Sequence, residues 1–424
     1  MDGQYLGIDI GTSGVRGCLI DRAGRVQAAA SVPLPAPVQV DGGFEQDPEL
    51  WWTALCEVLD RLAAEQPLGE VAAIAVDGTS ATLLCCDATG HPLAPALMYH
   101  DARAVEAARA IAALAPAESA AHGPSSSLAK LLYLHTSGLT RGASHALHQA
   151  DWLSGRLAGR YGVCDENNAL KLGYDAVARR WPAWLRLLDI SAALLPEVVP
   201  AGRAIGTLEP AWRRRWGFTA ATRIASGTTD STAGFIATGA GPGEAVTSLG
   251  STLVLKVCTE RPVYAPRFGI YSHRLGEYWL AGGASNSGGA VLRRYFTPAE
   301  IEQLSARVQS DAPTGLDYYP LSVPGERFPE YNPALPPRLE PRPADDAVFF
   351  QGMLEGMAAI ERRGYRLLEE LGAPYPLRVH SVGGGAANAA WRAIREALLG
   401  VPVDVAEHQD AAYGAALLAR RGTE

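Results

Sequence analysis

Lysine is nearly missing from this chain. Of 37 basic residues only three are lysines, Lys130, Lys171 and Lys256. Codon bias toward arginine accounts for such a skew. A lysine kept in that background is still a site candidate, because a compact ammonium and a planar guanidinium do different chemistry. Other absences exclude whole classes. The net charge is −8 and there is no basic face to neutralise phosphates, which argues against nucleic-acid and membrane-surface partners. No apolar run approaches the roughly 20 residues needed to cross a bilayer. The first twenty residues lack the basic start and apolar block of a secretory leader. Six cysteines (Cys18, Cys56, Cys85, Cys86, Cys164 and Cys258) form neither a C-x-x-C pair nor a zinc spacing, the usage of buried thiols in a reducing compartment. The expectation is a cytoplasmic protein.

Signature loops are missing too. There is no Gly-x4-Gly-Lys-Ser/Thr, no Gly-x-Gly-x-x-Gly after a strand, no Gly-x-Ser-x-Gly and no His-Glu-x-x-His. P-loop, dinucleotide-binding, hydrolase-elbow and zinc-protease readings therefore fall.

What is present suits two domains. The 424 residues are 48% hydrophobic and 19% charged, enough for two cores of about 200 residues each. Tyr5 to Ile10 reads as a strand, Gly11 to Gly14 as a turn, and Val15 to Ile20 as a returning strand. A similar unit follows: strand Val71 to Val76, turn Asp77-Gly78-Thr79-Ser80, strand Ala81 to Cys86. The repetition predicts neighbouring strands of one sheet. Between them, after Asp47-Pro48, the apolar positions of Glu49 to Ala64 recur at helical spacing. Further helices are predicted over Arg103 to Leu114, Leu128 to Leu134 and Gln149 to Leu157. Around Val246 a second strand-rich region carries another turn, Gly250-Ser251-Thr252. Gly315 to Pro343 reads as a long ordered loop, Phe349 to Leu371 as a helix, and Arg378 to Val382 as a strand before Gly383-Gly384-Gly385. Ala411 to Arg420 closes the chain as a helix. The class is α/β.

The turns carry the chemistry. Glycines let a backbone approach a phosphate and present N–H groups to it, and Thr and Ser hydroxyls add donors. Asp9 beside such a turn suits Mg²⁺, usually through water. Alone, the Asp-x-Gly-Thr-x-x-x-Arg run from Asp9 to Arg16 also fits a hairpin turn with an Asp cap. Seven segments in register extend it: Asp9 to Arg16; Glu45 to Pro48 leading to Trp51-Trp52; Tyr99-His100-Asp101-Ala102-Arg103; Gly227 to Ser231; Ser248 to Thr252; Gly325 to Pro329; and Gly383 to Asn388. On these the chain resembles the FGGY carbohydrate kinases of the actin-like ATPase and sugar-kinase superfamily. The segments Ser125 to Lys130, Asn168 to Tyr174 and Gly282 to Asn286 look most like the D-ribulose kinases of cyanobacteria and plants, once labelled xylulokinase-like.

The resemblance implies a two-domain ribonuclease H-like (actin-like ATPase) fold with the active site in the inter-domain cleft. The first domain would span 1–237 plus a C-terminal helix, 410–424, with the sugar and first phosphate site. The second, 238–409, would hold the nucleotide. It further implies ATP as co-substrate, Mg²⁺, and Asp230 as the catalytic base, a residue that also reads as a helix N-cap. Asp9 would stand on the metal side. Gly11, Thr12 and Ser13 would meet phosphate, as would Gly250, Ser251 and Thr252. Gly384, Gly385 and Asn388 would border the adenosine, with Trp391 either its wall or plain helix packing. Ser13, Gly14, Arg16, Asp77, Ser80 and Asp230 would face the sugar. Lys256 would neutralise phosphate or sit at a solvated strand end, and Lys171 is open in the same way. The expected reaction is phosphorylation of a ketopentose at its primary hydroxyl, D-ribulose first, with D-xylulose or another ketose or polyol as the alternative. A non-catalytic nucleotide-dependent binder is the competing class; retention of Asp9, Asp230 and both phosphate turns speaks against it.

Overall fold

The structure, a computed structural model, describes residues 3–423. The opening apolar run forms β1 (Gln4–Ile10), a tight turn returns it as β2 (Gly14–Ile20), and β3 (Val26–Pro33) completes a meander. Helix α1 (Pro48–Glu65) starts where Asp47 Oδ1 accepts the Glu49 N–H at 3.0 Å, ahead of a proline at the first helical position. Its Trp51, Leu55, Val58, Leu59 and Leu62 are buried in the core shared with β1 and β2. Each such aliphatic side chain contributes about 1.5–3 kcal/mol on burial. Gly17 leaves room for this helix: a Cβ there would lie 2.6 Å from Val58 Cγ1.

Next come β4 (Val71–Gly78), β5 (Leu83–Cys86), α2 (Ser127–Thr136), α3 (Gln149–Ala158), β6 (Ala204–Thr207), β7 (Arg223–Thr229) and α4 (Asp230–Ala237). The main sheet runs β6-β7-β4-β1-β2-β3, with β1, β4 and β7 mutually parallel. Here one expectation fails. β4 neighbours β1, but β5 leaves that sheet for a separate five-stranded one, because the chain bends at Thr79–Ala81, where Ala81 takes φ 73°. The two strand–turn–strand units are alike in sequence and unlike in topology.

The second region contains β8 (Ala245–Leu249), β9 (Leu253–Thr259), β10 (His273–Leu275), β11 (Tyr278–Ser285), α5 (Gly289–Tyr295), α6 (Asp346–Glu370), β12 (Val379–Val382), α7 (Ala389–Leu399) and β13 (Val403–Val405). Its sheet runs β10-β11-β9-β8-β12-β13. An antiparallel meander, β8-β9-β11, is followed by parallel β12 and β13. That is the wiring of β1-β2-β3 followed by β4 and β7. The predicted loop carries no helix or strand but is ordered by bridges Tyr319↔Arg338 and Glu326↔Asn332.

Helix α8 (Ala411–Arg421) ends the chain and packs on β1, where a Cβ at Gly7 would lie 1.9 Å from the Ala412 carbonyl oxygen. The chain divides into two compact units, Met1–Ala237 with Asp410–Glu424, and Thr238–Gln409. Among the described residues no helix is long and apolar enough to cross a membrane.

Candidate active site

Three aspartates stand at the carboxyl ends of three adjacent parallel strands. Asp9 is one residue from the end of β1, Asp77 one from the end of β4, and Asp230 directly follows β7. Asp9 and Asp77 are register partners. Asp9 is almost fully buried and Asp77 wholly so. Asp9 Oδ2 accepts from Arg16 Nη1 at 2.8 Å, across the β1–β2 pair. Among the described residues no donor reaches either Asp77 oxygen, and its neighbour in register is the Asp9 carboxyl. Burial first, then the neighbouring Asp9 charge, pushes Asp77 well above the carboxylate range. Burial also raises Asp9, opposed by its bonds to Asp77 and Arg16.

Asp230 opens α4 and its Oδ1 accepts the Ser231 N–H at 2.6 Å, so the helix-start reading holds for its place in the fold. Its charge is felt at Asp77. A fourth acid enters from the far end of the sequence. Asp410 caps α8 through the Ala412 N–H at 3.0 Å, and its charge raises both Asp9 and Asp77. Sequence reading missed it because it lies 401 positions from Asp9; its cap position before Ala411 was the available signal.

The first turn is held by the Gly11 N–H to the Gly14 carbonyl at 3.0 Å and the Leu34 N–H to the Ser13 carbonyl at 2.9 Å. Thr12 is half-buried and Ser13 exposed, while Gly14 has no space for a side chain, with Val32 O only 2.8 Å from a Cβ. Ser80 is half-buried just past β4. These residues gather on the acid-bearing end of one sheet.

In the other unit, the turn Gly250–Thr252 joins β8 to β9 and is braced by the start of α5. The N–H groups of Gly289 and Ala290 donate to the carbonyls of Gly250 and Ser251 at 2.9 and 3.1 Å. Arg293 was not singled out by sequence, yet its Nη2 donates to Ser251 Oγ at 2.8 Å. Among the described residues it pairs with no carboxylate, which leaves a guanidinium charge at the turn. Lys256 lies in the middle of β9, half-buried between Val246 and Gly282, not at a solvated strand end. Lys171 is half-buried on a short 3₁₀ turn, Ala169–Leu172.

Around the glycine run, Gly384 is exposed and open, whereas a Cβ at Gly385 would lie 2.7 Å from Trp391. Trp391 is 2% exposed within the core, so of its two readings packing is the one the fold supports. Asn388 spends its side chain on structure: Oδ1 accepts the Trp391 N–H at 3.0 Å and Nδ2 donates to Ser305 Oγ at 2.8 Å. Beneath β8 and β12 lies a buried pair that sequence gave no sign of. Arg395 grips Glu361 through Nε at 2.6 Å and Nη2 at 2.8 Å, and Glu361 accepts Thr247 Oγ1 at 2.6 Å. A cavity of about 390 Å³ lined by Leu316, Tyr318, Glu355, Ile394 and Leu398 contains none of the predicted residues.

Other sequence segments meet as braces. Arg103 bonds Glu45 and Asp101 at 2.8 Å each, joining the segments at 45–48 and 99–103. Glu326 accepts from Ser285 Oγ at 2.6 Å and from the Asn286 N–H at 2.8 Å, joining 282–286 to 325–329. Asn167 Nδ2 donates to Thr228 Oγ1 at 3.0 Å, just before Asp230.

Comparison with known proteins agrees with this architecture. Residues 4–237 match the N-terminal domain of the FGGY family of carbohydrate kinases, and residues 245–422 its C-terminal domain. The xylulose kinase of Escherichia coli K12 is 27% identical over 446 residues, covering 98% of this chain and 90% of that protein. A solved structure from Brucella ovis, described as a xyloylose kinase, superposes with a TM-score of 0.88 at 27% identity, covering 99% of this chain and 91% of the other. A glycerol kinase from Plasmodium falciparum with ADP shares the fold, with a TM-score of 0.84 at 17% identity, covering 100% of this chain and 90% of that one. The chain therefore has the two-domain α/β sugar-kinase fold and belongs to the FGGY family of carbohydrate kinases.

Proposed function

We propose that the protein transfers the γ-phosphate of ATP to the primary hydroxyl of a ketopentose. The observation that carries this reading is the convergence of Asp9, Asp77 and Asp230 on the ends of three parallel strands in a chain of carbohydrate-kinase family. Asp230 opens a helix at the end of β7 and is only half-buried, which suits a base that receives a sugar proton. Arg16 holds Asp9 in place, and Thr12, Ser13 and Gly14 offer donors to phosphate or sugar. Gly250, Ser251 and Thr252, with Arg293, would meet phosphate oxygens, and Gly384 and Gly385 the adenosine. The carboxylates of Asp9 and of Asp410, whose charge acts on it, would suit Mg²⁺; when bound, the ion would spread the γ-phosphate charge.

The relatives' names favour D-xylulose over the D-ribulose expected from sequence. D-Ribulose remains the second reading because the segments Ser125 to Lys130, Asn168 to Tyr174 and Gly282 to Asn286 resemble those of D-ribulose kinases. The two sugars differ at single pocket contacts, each worth about 1–3 kcal/mol. ADP release measured with D-xylulose, D-ribulose, L-ribulose, glycerol and no sugar decides. Sugar-stimulated release with a ketopentose supports the proposal, and the better substrate names the sugar. ADP binding without sugar-dependent turnover would replace it with a nucleotide-dependent binder.

A further inference from the structure

Lys130 is fully buried on α2, yet among the described residues no carboxylate bonds its ammonium. It donates instead to three main-chain carbonyls: Met98 at 2.7 Å, Ala81 at 2.8 Å and Tyr99 at 3.3 Å. The acid whose charge acts on Lys130, Asp101, is already engaged, holding Arg103 at 2.8 Å and the Phe44 N–H at 2.8 Å. Enclosing an ammonium with carbonyls alone is expensive relative to an apolar side chain of the same length. Burial accordingly brings its pKa down to about 7.

What those bonds hold is specific. Among the described residues Ala81 is one of three non-glycine residues with positive φ, at 73°, and it follows directly on Asp77–Ser80. Such a conformation costs about 1 kcal/mol or more and persists only when its surroundings fix it. The same turn is tied from its other side. Gln149 Oε1 accepts Thr79 N and Oγ1 at 3.1 and 2.9 Å, and Thr82 Oγ1 accepts the Tyr99 N–H at 3.0 Å. Two stretches far apart in sequence, 79–82 and 98–100, are thus locked to each other with Lys130 as the common donor. Tyr99 and His100, their rings 4.6 Å apart, form the exposed side of that lock, and Tyr99 is 42% exposed.

We infer that Lys130 is a positioning residue for sugar selectivity: it fixes the turn bearing Asp77 and Ser80 against the Tyr99–His100 segment, and so sets the wall that distinguishes one ketopentose from another. This rests on the sugar-kinase reading above. Lys130→Met keeps the length and removes all three donors. The variant should show a sugar kcat/KM lower by about 10–100-fold, mostly through KM. Its ratio of D-xylulose to D-ribulose turnover should move, while its KM for ATP stays put. Amide exchange should quicken at 79–82 and 98–100 and remain unchanged in residues 238–409. Unaltered sugar KM and epimer ratio in a folded variant would overturn the inference, as would exchange that rises evenly along the chain. If the Met variant does not fold, Lys130→Arg is read in the same way, since it keeps the charge but offers a planar fork to carbonyls arranged for a point donor. A wild-type protein without sugar-dependent ADP release would defeat the kinase reading itself, whereas the exchange pattern tests the lock independently of activity.

Discussion

Asp77 and Asp9 lie side by side on parallel strands, and among the described residues no donor reaches either Asp77 oxygen. Burial first, then the Asp9 charge, raises the folded value of Asp77 above its unfolded one, so the native state keeps the Asp77 proton to higher pH. Unfolding free energy should therefore fall as pH rises past the ordinary value of 3.8, and go on falling until the raised folded value is passed. Asp77→Asn keeps the shape without the charge. Its Tm should gain on wild type at pH 8 and gain less at pH 5. Parallel Tm profiles across that range would show that Asp77 contributes no such linkage.

Removing the base should separate chemistry from binding. Asp230→Ala is expected to lower sugar-dependent ADP release by about 10²–10⁴-fold while leaving ADP affinity and Tm close to wild type. Wild-type turnover by that variant would sink the assignment of the base.

Arg293 tests the second phosphate turn. A guanidinium resting on Ser251 should grip phosphate oxygens, so Arg293→Met should weaken ADP binding roughly 10–100-fold, a loss typical of hydrogen bonds to charged groups. Adenosine, which has no phosphate, should bind both proteins alike in calorimetry. Equal losses for ADP and adenosine would point to a damaged turn.

The Glu361–Arg395 pair should matter for stability alone. Both side chains are about 1% exposed, so Arg395→Met strands a carboxylate in the core. The expected loss is about 3–5 kcal/mol in urea unfolding. Changing both residues to apolar ones of similar size should recover much of it; a double variant as unstable as the single one would contradict this account.

Much of the fold was legible because its signals are local. The Asp47-Pro48 start and helical spacing marked α1 nearly to the residue, and apolar runs punctuated by Gly-Thr-Ser turns marked β1, β2, β8 and β9. The destination of β5 was not legible, since a strand's sequence does not say which sheet receives it after a bend like that at Ala81. Trp391 was ambiguous for a related reason: its place in α7 follows from spacing, its burial only from what packs around it.

The sequence by itself determined the chemistry on offer: carboxylates beside glycine turns, hydroxyls to meet phosphate, and a family pattern spanning the chain. Those features are contiguous runs that need no partner to be recognised. Tertiary structure decided which groups act on one another. Asp410 came to Asp9 across 401 residues, Arg293 to Ser251 across 42, and Lys130 to the carbonyls of Ala81 and Met98 across 49 and 32. Each depends on chain reversals that bring distant segments within hydrogen-bonding or Coulombic range, and burial then fixes how strongly those groups interact.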